Sequence, residues 1–270
     1  MTTVPYWHVD AFAGRAFTGN QAAVMILEAW PDDAVLAAIG AENMFAETAF
    51  VVRDANGETA KNSSEYELRW FTPACEVRLC GHATLAAGHV LLGLEPGRDE
   101  VRFATRKAGP LIVRRDGESY QLALPAIPVS EGEWPEALAA LGGPPPSRVF
   151  RNPDRYNVFL YASAAEVLAL DPDIRALAAM GDHQFICTAP GHDTDVLSRV
   201  FVPGAGVDED SVTGSAHAVL TPLWAGLLGR DSFTAVQASA RGGHLVCRLD
   251  GASAWLGGTC VTVVEGRFSF

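Results

Sequence analysis

Signatures that would place the chain in a common cofactor class are missing. There is no GxGxxG fingerprint, no Walker loop, no HExxH helix and no GxSxG elbow. This argues against dinucleotide binding, P-loop phosphoryl transfer, zincin hydrolysis and serine-elbow hydrolysis. Cysteine is sparse. The five thiols (Cys75, Cys80, Cys187, Cys247 and Cys260) are odd in number, irregularly spaced and form no CxxC pair. They read as reduced thiols, not as a disulfide framework. The spacing of Cys75, Cys80, His82 and His89 matches no usual zinc pattern, so no metal is expected. Positive charge is short too, with 20 Lys and Arg against 32 Asp and Glu and a net charge of −12. The basic pairs Arg106-Lys107 and Arg114-Arg115 are isolated, so no nucleic-acid partner is expected. No apolar run reaches the length of a membrane span. The opening MTTVPYWHVDAF lacks the basic start and apolar stretch of a signal peptide, so the expectation is a cytoplasmic protein without a membrane partner.

What the sequence does have is ample material for packed cores. Of its 270 residues, 49% are hydrophobic and 19% charged, with glycine and proline spread as punctuation between apolar runs. An internal echo organises them. Phe71-Thr72-Pro73 with Glu76-Val77 returns as Phe201-Val202-Pro203 with Gly206-Val207. Gly81-His82-Ala83 and Gly214-Ser215-Ala216 each open an apolar helical run, and 104–114 is echoed by 238–248. The offsets stay between 130 and 134 residues, which points to an ancestral duplication. Two similar lobes follow, 1–118 and 119–270, the last strand being a candidate to return to the first, with equivalent features facing each other across a cleft.

Each half reads as strands around a helix. Residues 6–12, 22–27, 48–52 and 66–71 have strand character, and 100–115 with 119–125 resembles a closing hairpin. Residues 32–42 and 82–93 read as helices, the second buried, and further helices are expected near 134–141, 164–170, 173–180 and 215–228. Pro222 is expected to interrupt the last of these.

The two glycine-led helix starts, at Gly81 and Gly214, leave backbone N–H groups open and carry partial positive charge, suited to a carboxylate or a developing enolate. Titratable residues accompany both: His82 in the first turn of one helix, Asp210 just ahead of the other. Glu47 stands at the entry of the apolar strand Thr48 to Val52, where partial burial would suit a base that also returns its proton. The plain structural readings are a helix-capping histidine, a solvated turn carboxylate and glycines that only permit close packing. His89 and His217 fall inside apolar helices and read as core histidines with local partners.

At these residues the chain resembles the phenazine-biosynthesis isomerase-like (PhzF-like) family, relatives of diaminopimelate epimerase. The matching stretches are Asp10-Ala11-Phe12, Gly19-Asn20-Gln21-Ala22-Ala23-Val24 and Ala46-Glu47-Thr48-Ala49-Phe50-Val51. They continue with Cys80-Gly81-His82-Ala83-Thr84 and Glu209-Asp210 ahead of Thr213-Gly214-Ser215-Ala216. The resemblance implies an α+β fold of two pseudo-symmetric lobes, each a β-sheet wrapped around a central helix. It also implies a cofactor-independent isomerase, a homodimer, acting on a small unsaturated or cyclic organic acid. Glu47 would be the acid/base, His82 and Asp210 supporting polar residues, and Gly19, Asn20, Gly81, Gly214 and Ser215 substrate-binding. Ala46 stands where the family often has serine, and Gln21 replaces a frequent proline. Two other readings are a racemase using opposed cysteines, in which Cys80 would be answered only by Ser211, and a binding protein that kept the fold without the chemistry. Specificity is expected in the loops 13–21, 56–66 and 150–157.

Overall fold

Residues 1–54 and 65–270 are described by the computed structural model. They form two compact units, Met1–Leu124 with Gly257–Phe270, and Pro125–Leu256. In the first unit the chain runs through β1 (Thr3–Ala11), β2 (Asn20–Leu27), α1 (Asp33–Asn43), β3 (Glu47–Arg53), β4 (Tyr66–Phe71) and β5 (Glu76–Val77). It continues through α2 (Gly81–Leu94), β6 (Glu100–Thr105), β7 (Leu111–Asp116) and β8 (Ser119–Pro125), and β18 (Cys260–Ser269) comes from the chain's end. β1 lies antiparallel between β18 and β2. β2 and β3 are parallel, β3 and β4 antiparallel, β4 and β6 parallel, and β6, β7 and β8 close the order as a meander. Two register facts set the unit's limits. β8 pairs along β7, which carries the first unit past residue 118, and β18 pairs along β1 from Thr3↔Ser269 to Ala11↔Cys260.

α2 is apolar almost all round, the pattern of a helix enclosed by its neighbours, not of one with a wet face. It touches β1, β2, β3, β6, β7 and β18, so the sheet of this unit wraps it. Burying side chains such as Leu85, Leu91 and Leu92 contributes roughly 2 kcal/mol each. A second cluster on the other side of β2 and β3 joins Met25, Leu27 and Phe50 to Leu36 and Ile39 of α1.

The second unit repeats this plan. It contains β9 (Ser130–Glu131), α3 (Pro135–Leu141), β10 (Arg148–Arg151), β11 (Tyr156–Leu160), α4 (Ala164–Leu168), α5 (Ile174–Ala179), β12 (Gln184–Pro190) and β13 (Val196–Val202). Then come β14 (Val207–Glu209), α6 (Gly214–Leu228), β15 (Ser232–Gln237) and β16 (Gly243–Asp250), and β17 (Ser253–Gly258) leads out of the unit. β11 and β12 are parallel, β12 and β13 antiparallel, β13 and β15 parallel, β15 and β16 antiparallel. That is the sequence of pairings found for β2, β3, β4, β6 and β7. The duplication read from the echoes is thus written into the hydrogen-bond ladders.

α6 takes the place of α2 in this order and corrects one expectation. Pro222 does not interrupt it, and the helix runs from Gly214 to Leu228. A helical proline leaves the carbonyl four residues earlier without its N–H donor. Here that carbonyl, on Ala218, accepts the backbone N–H of Ile127 at 3.1 Å. A neighbouring segment supplies the missing bond, and no sequence pattern within the helix shows it. No helix among the described residues is long and apolar enough to cross a membrane.

Candidate active site

The first unit builds its site from a turn. Between β1 and β2 the backbone enters the left-handed region at Phe12 (φ 56), Phe17 (φ 71) and Gly19 (φ 68). At Gly19 a Cβ would stand 2.2 Å from the Ala11 carbonyl oxygen, so only glycine fits. The buried Asp10 carboxylate accepts the Phe17 N–H at 2.7 Å and ties the turn down. The next residue, Asn20, is then buried with its Nδ2 3.1 Å from His82 Nδ1.

His82 is the second residue of α2, and its Nε2 lies 3.2 Å from Glu47 Oε2 at the start of β3. With the Asn20 amide against Nδ1, the other ring nitrogen, Nε2, faces the Glu47 carboxylate at ion-pair distance. The imidazole is 4% exposed and the carboxylate 18%, so the carboxylate is the member of the pair that a small molecule can reach. Cys80, the residue capping α2, completes the cluster with Sγ 3.6 Å from Nδ1 and 4.0 Å from Nε2 of His82. Gly81 opens the helix beside them.

The second unit holds the other expected residues. Asp210 precedes α6 and its Oδ2 accepts the Thr213 hydroxyl at 2.6 Å. Thr213, not Ser211, occupies the capping position that Cys80 has in α2, which corrects the pairing expected for a two-cysteine enzyme. Ser211 instead offers its carbonyl to the Ser239 hydroxyl. Ser215, the second residue of α6 as His82 is of α2, receives the Gln184 amide at 2.9 Å.

Two neighbours of these residues were not singled out by the sequence. Gln184 opens β12 as Glu47 opens β3, so Gln184–Ser215 is the uncharged counterpart of Glu47–His82. Aligning the two apolar strands in the duplication would have found it. Gln237 is fully buried, accepts the Thr213 N–H at 2.8 Å and donates to the Asp210 carbonyl at 2.7 Å, fixing the loop ahead of α6. Nothing in its surroundings along the chain distinguishes this glutamine. His89 is half-buried and not a core residue, and its partners come from distant strands, Tyr120 Oη at 3.0 Å and Thr262 Oγ1 at 2.9 Å. His217 has one, the Thr213 carbonyl at 2.9 Å, with its Nε2 buried and without a partner. Of the loops expected to set specificity, 13–21 contains the Gly19 turn, 150–157 carries Asn157 against Arg151, and 56–64 lies outside the described residues.

Comparisons with known proteins place the chain in a family. A model of the family described as phenazine biosynthesis-like protein matches residues 9–266, nearly the whole chain. The chain belongs to the phenazine biosynthesis-like (PhzF) family. An uncharacterised isomerase of Pseudomonas aeruginosa is 46% identical to it over 97% of both chains. The human phenazine biosynthesis-like domain-containing protein is 35% identical over 98% of this chain and 99% of that one. The crystal structure of a PhzF family protein from Enterococcus faecalis, 37% identical, matches with a TM-score of 0.89 over the full length of both. A hydroxyproline epimerase from Agrobacterium vitis shares the fold alone, at 12% identity and a TM-score of 0.63 over 98% of this chain and 92% of that one. PhzF relatives carrying the name isomerase support isomerase chemistry at the level of the family.

Proposed function

We propose that this PhzF-family chain is a cofactor-independent isomerase in which Glu47 moves a proton on a small unsaturated or cyclic organic acid. The observation that carries the reading is the 3.2 Å pair of Glu47 Oε2 and His82 Nε2. The Glu47 carboxylate removes a proton from a carbon next to an unsaturated system and becomes the neutral acid. The C–H electron pair shifts along the double bonds, and the same carboxyl delivers the proton to a second carbon. His82 holds the carboxylate in place and Asn20 holds the imidazole. The first-turn N–H groups behind Gly81 and Gly214, with Ser215 and Asp210, are assigned to binding, where helix N-termini favour an anionic substrate group.

The duplication favours one base over two. Gln184, the counterpart of Glu47, exchanges no proton at neutral pH, and Thr213, the counterpart of Cys80, is a far poorer base than a thiolate. A racemase with opposed thiols therefore lacks its second group.

The test is deuterium exchange by NMR, with wild-type and Glu47→Gln protein incubated in D2O with cyclic diene carboxylic acids and related unsaturated acids. Wild-type protein should isomerise one of them with solvent deuterium entering the product. The variant should be slower by roughly 10²-fold or more, the usual range for a lost acid/base. Full exchange by a folded Glu47→Gln variant would show that another group moves the proton. A wild-type protein inert toward the whole panel would favour the non-catalytic reading.

A further inference from the structure

The last strand of the first unit leaves one edge open. β18 pairs with β1 from Thr3↔Ser269 to Ala11↔Cys260, and among the described residues no other strand packs along it. Val264, Glu265, Gly266 and Arg267 are exposed. Such an edge offers a row of backbone N–H and C=O groups to another strand. Their phase follows from the ladder. Thr2 and Phe270 exchange both backbone hydrogen bonds, at 2.7 and 2.9 Å. In an antiparallel pair, residues bonded in this way alternate with residues whose N–H and C=O point outward. Phe268, Gly266 and Val264 therefore face β1, while Ser269, Arg267 and Glu265 turn their backbone groups to the open side. The register shifts between His8 and Val9, leaving Val263 as an extra residue, so the regular edge begins at Val264.

We propose that β18 is a self-association edge, at which two copies of this chain join antiparallel about Gly266 into one continuous sheet. Charges on an edge usually keep strands apart. Here Glu265 and Arg267 have opposite sign, flank Gly266 symmetrically and share one face of the strand. With the two-fold axis between the Gly266 residues, Glu265 lies directly opposite the partner's Arg267, and Arg267 opposite the partner's Glu265. These are the positions whose backbone groups point outward. Each pair therefore exchanges both backbone hydrogen bonds and sets a carboxylate against a guanidinium. On the other face Val264, 46% exposed, meets the partner's Phe268 and extends the apolar row in which Phe268 lies 5.8 Å from Tyr6. Moving the axis to Glu265 or Arg267 sets like charges against each other. Moving it to Val264 or Phe268 leaves both charges without an opposite. The sequence thus selects one register. In the single chain Arg267 Nη2 donates to the Thr3 carbonyl at 3.1 Å, an exposed bond that pairing exchanges for one to a carboxylate.

This edge is independent of the isomerase reading, and its test needs no substrate. The strand pairing covers few residues, below the size of permanent interfaces, so association is followed against concentration. Sedimentation velocity of the full-length protein should show a monomer–dimer equilibrium. Glu265→Arg and Arg267→Glu each bring like charges face to face at both pairs and should raise the dissociation constant roughly tenfold or more. Both side chains are exposed, so neither change disturbs a core. Mixed in equal amounts, the two single variants should form a heterodimer, because each carries the charges that the other lacks. The double variant Glu265→Arg with Arg267→Glu should dimerise as the wild-type protein does. A wild-type protein that stays monomeric at every concentration overturns the proposal. So does a dimer that both single variants leave unchanged, or one that mixing them fails to restore.

Discussion

Among single side chains, His217 has the clearest energetic consequence. Its Nδ1–H donates to the Thr213 carbonyl at 2.9 Å, and burial pushes the imidazole down to about 4. In the unfolded chain the ring titrates near 6.5. Between those two values the unfolded state binds a proton that the folded state does not, so stability falls as pH drops from about 6.5 toward 4. A shift of this size corresponds to roughly 3 kcal/mol across the window. In α2 the same helical position belongs to Thr84, whose hydroxyl donates to the Cys80 carbonyl at 2.5 Å. His217→Thr should therefore keep the bond to the capping carbonyl while removing the titration. The smaller side chain leaves space that costs about 1–3 kcal/mol at neutral pH. Urea midpoints at pH 7.5 and pH 5 measure both effects. The variant should lose less stability between the two pH values than the wild-type protein, and an unchanged difference would place the titrating group elsewhere.

Elements were legible where a segment's own residues decide its state, and obscure where a distant segment does. The all-round apolar run after Gly81 could be read as a buried helix, because no wet face remains for water. Pro222 misled, because the donor that repairs α6 is Ile127, far back in the chain. The candidate site divides the same way. Glu47 and His82 announce themselves as titratable residues at element starts, but Gln237 and Gln184 act only through partners that folding brings to them. Gly88 shows the same dependence in packing. Midway along α2, its Cα faces β7 so closely that an added Cβ would stand 2.4 Å from Val113 Cγ1 and 2.6 Å from its Cβ. Helix propensity alone predicts that Gly88→Ala stabilises, by up to about 1 kcal/mol. The contact predicts the opposite, because Val113 is fully buried on the sheet and a rotamer change does not move its Cβ. Overpacking of this kind costs about 1–3 kcal/mol. Gly88→Ala should lower the urea midpoint, and a raised midpoint would mean that α2 moves off the sheet without penalty.

For the molecule as a whole, the duplication extends past the fold to its ion pairs, with a core of its own in each unit. In the first, Arg69 on β4 grips Glu76 on β5 through two bonds of 2.7 and 3.0 Å, reaches Asp33 at 2.8 Å and lies 5.1 Å over Phe71. In the second, Arg199 on β13 grips Glu209 on β14 at 2.8 and 3.0 Å, donates to the Leu170 carbonyl at 2.7 Å and lies 4.8 Å over Phe201. The Phe-x-Pro echo marks both places in the sequence and extends back to Arg69 and Arg199, each two residues before its Phe, but their acidic partners Glu76 and Glu209 sit at different spacings in the two halves. Arg69 is almost wholly buried and holds Glu76 well below the usual carboxylate range. Replacing either arginine by methionine keeps the apolar stem and strands a carboxylate that is only partly wet. The loss is about 3 kcal/mol at most once that exposure is allowed for. It belongs to the unit in which the pair is made. Hydrogen exchange read by mass spectrometry should then show Arg69→Met losing protection in α1 and β3 to β5, with the second unit unchanged. Arg199→Met should lose it in α4, β13 and β14, with the first unit unchanged. If both variants instead lose protection along the entire chain, the two units open as one cooperative body, and the duplication persists in the architecture without persisting in the energetics.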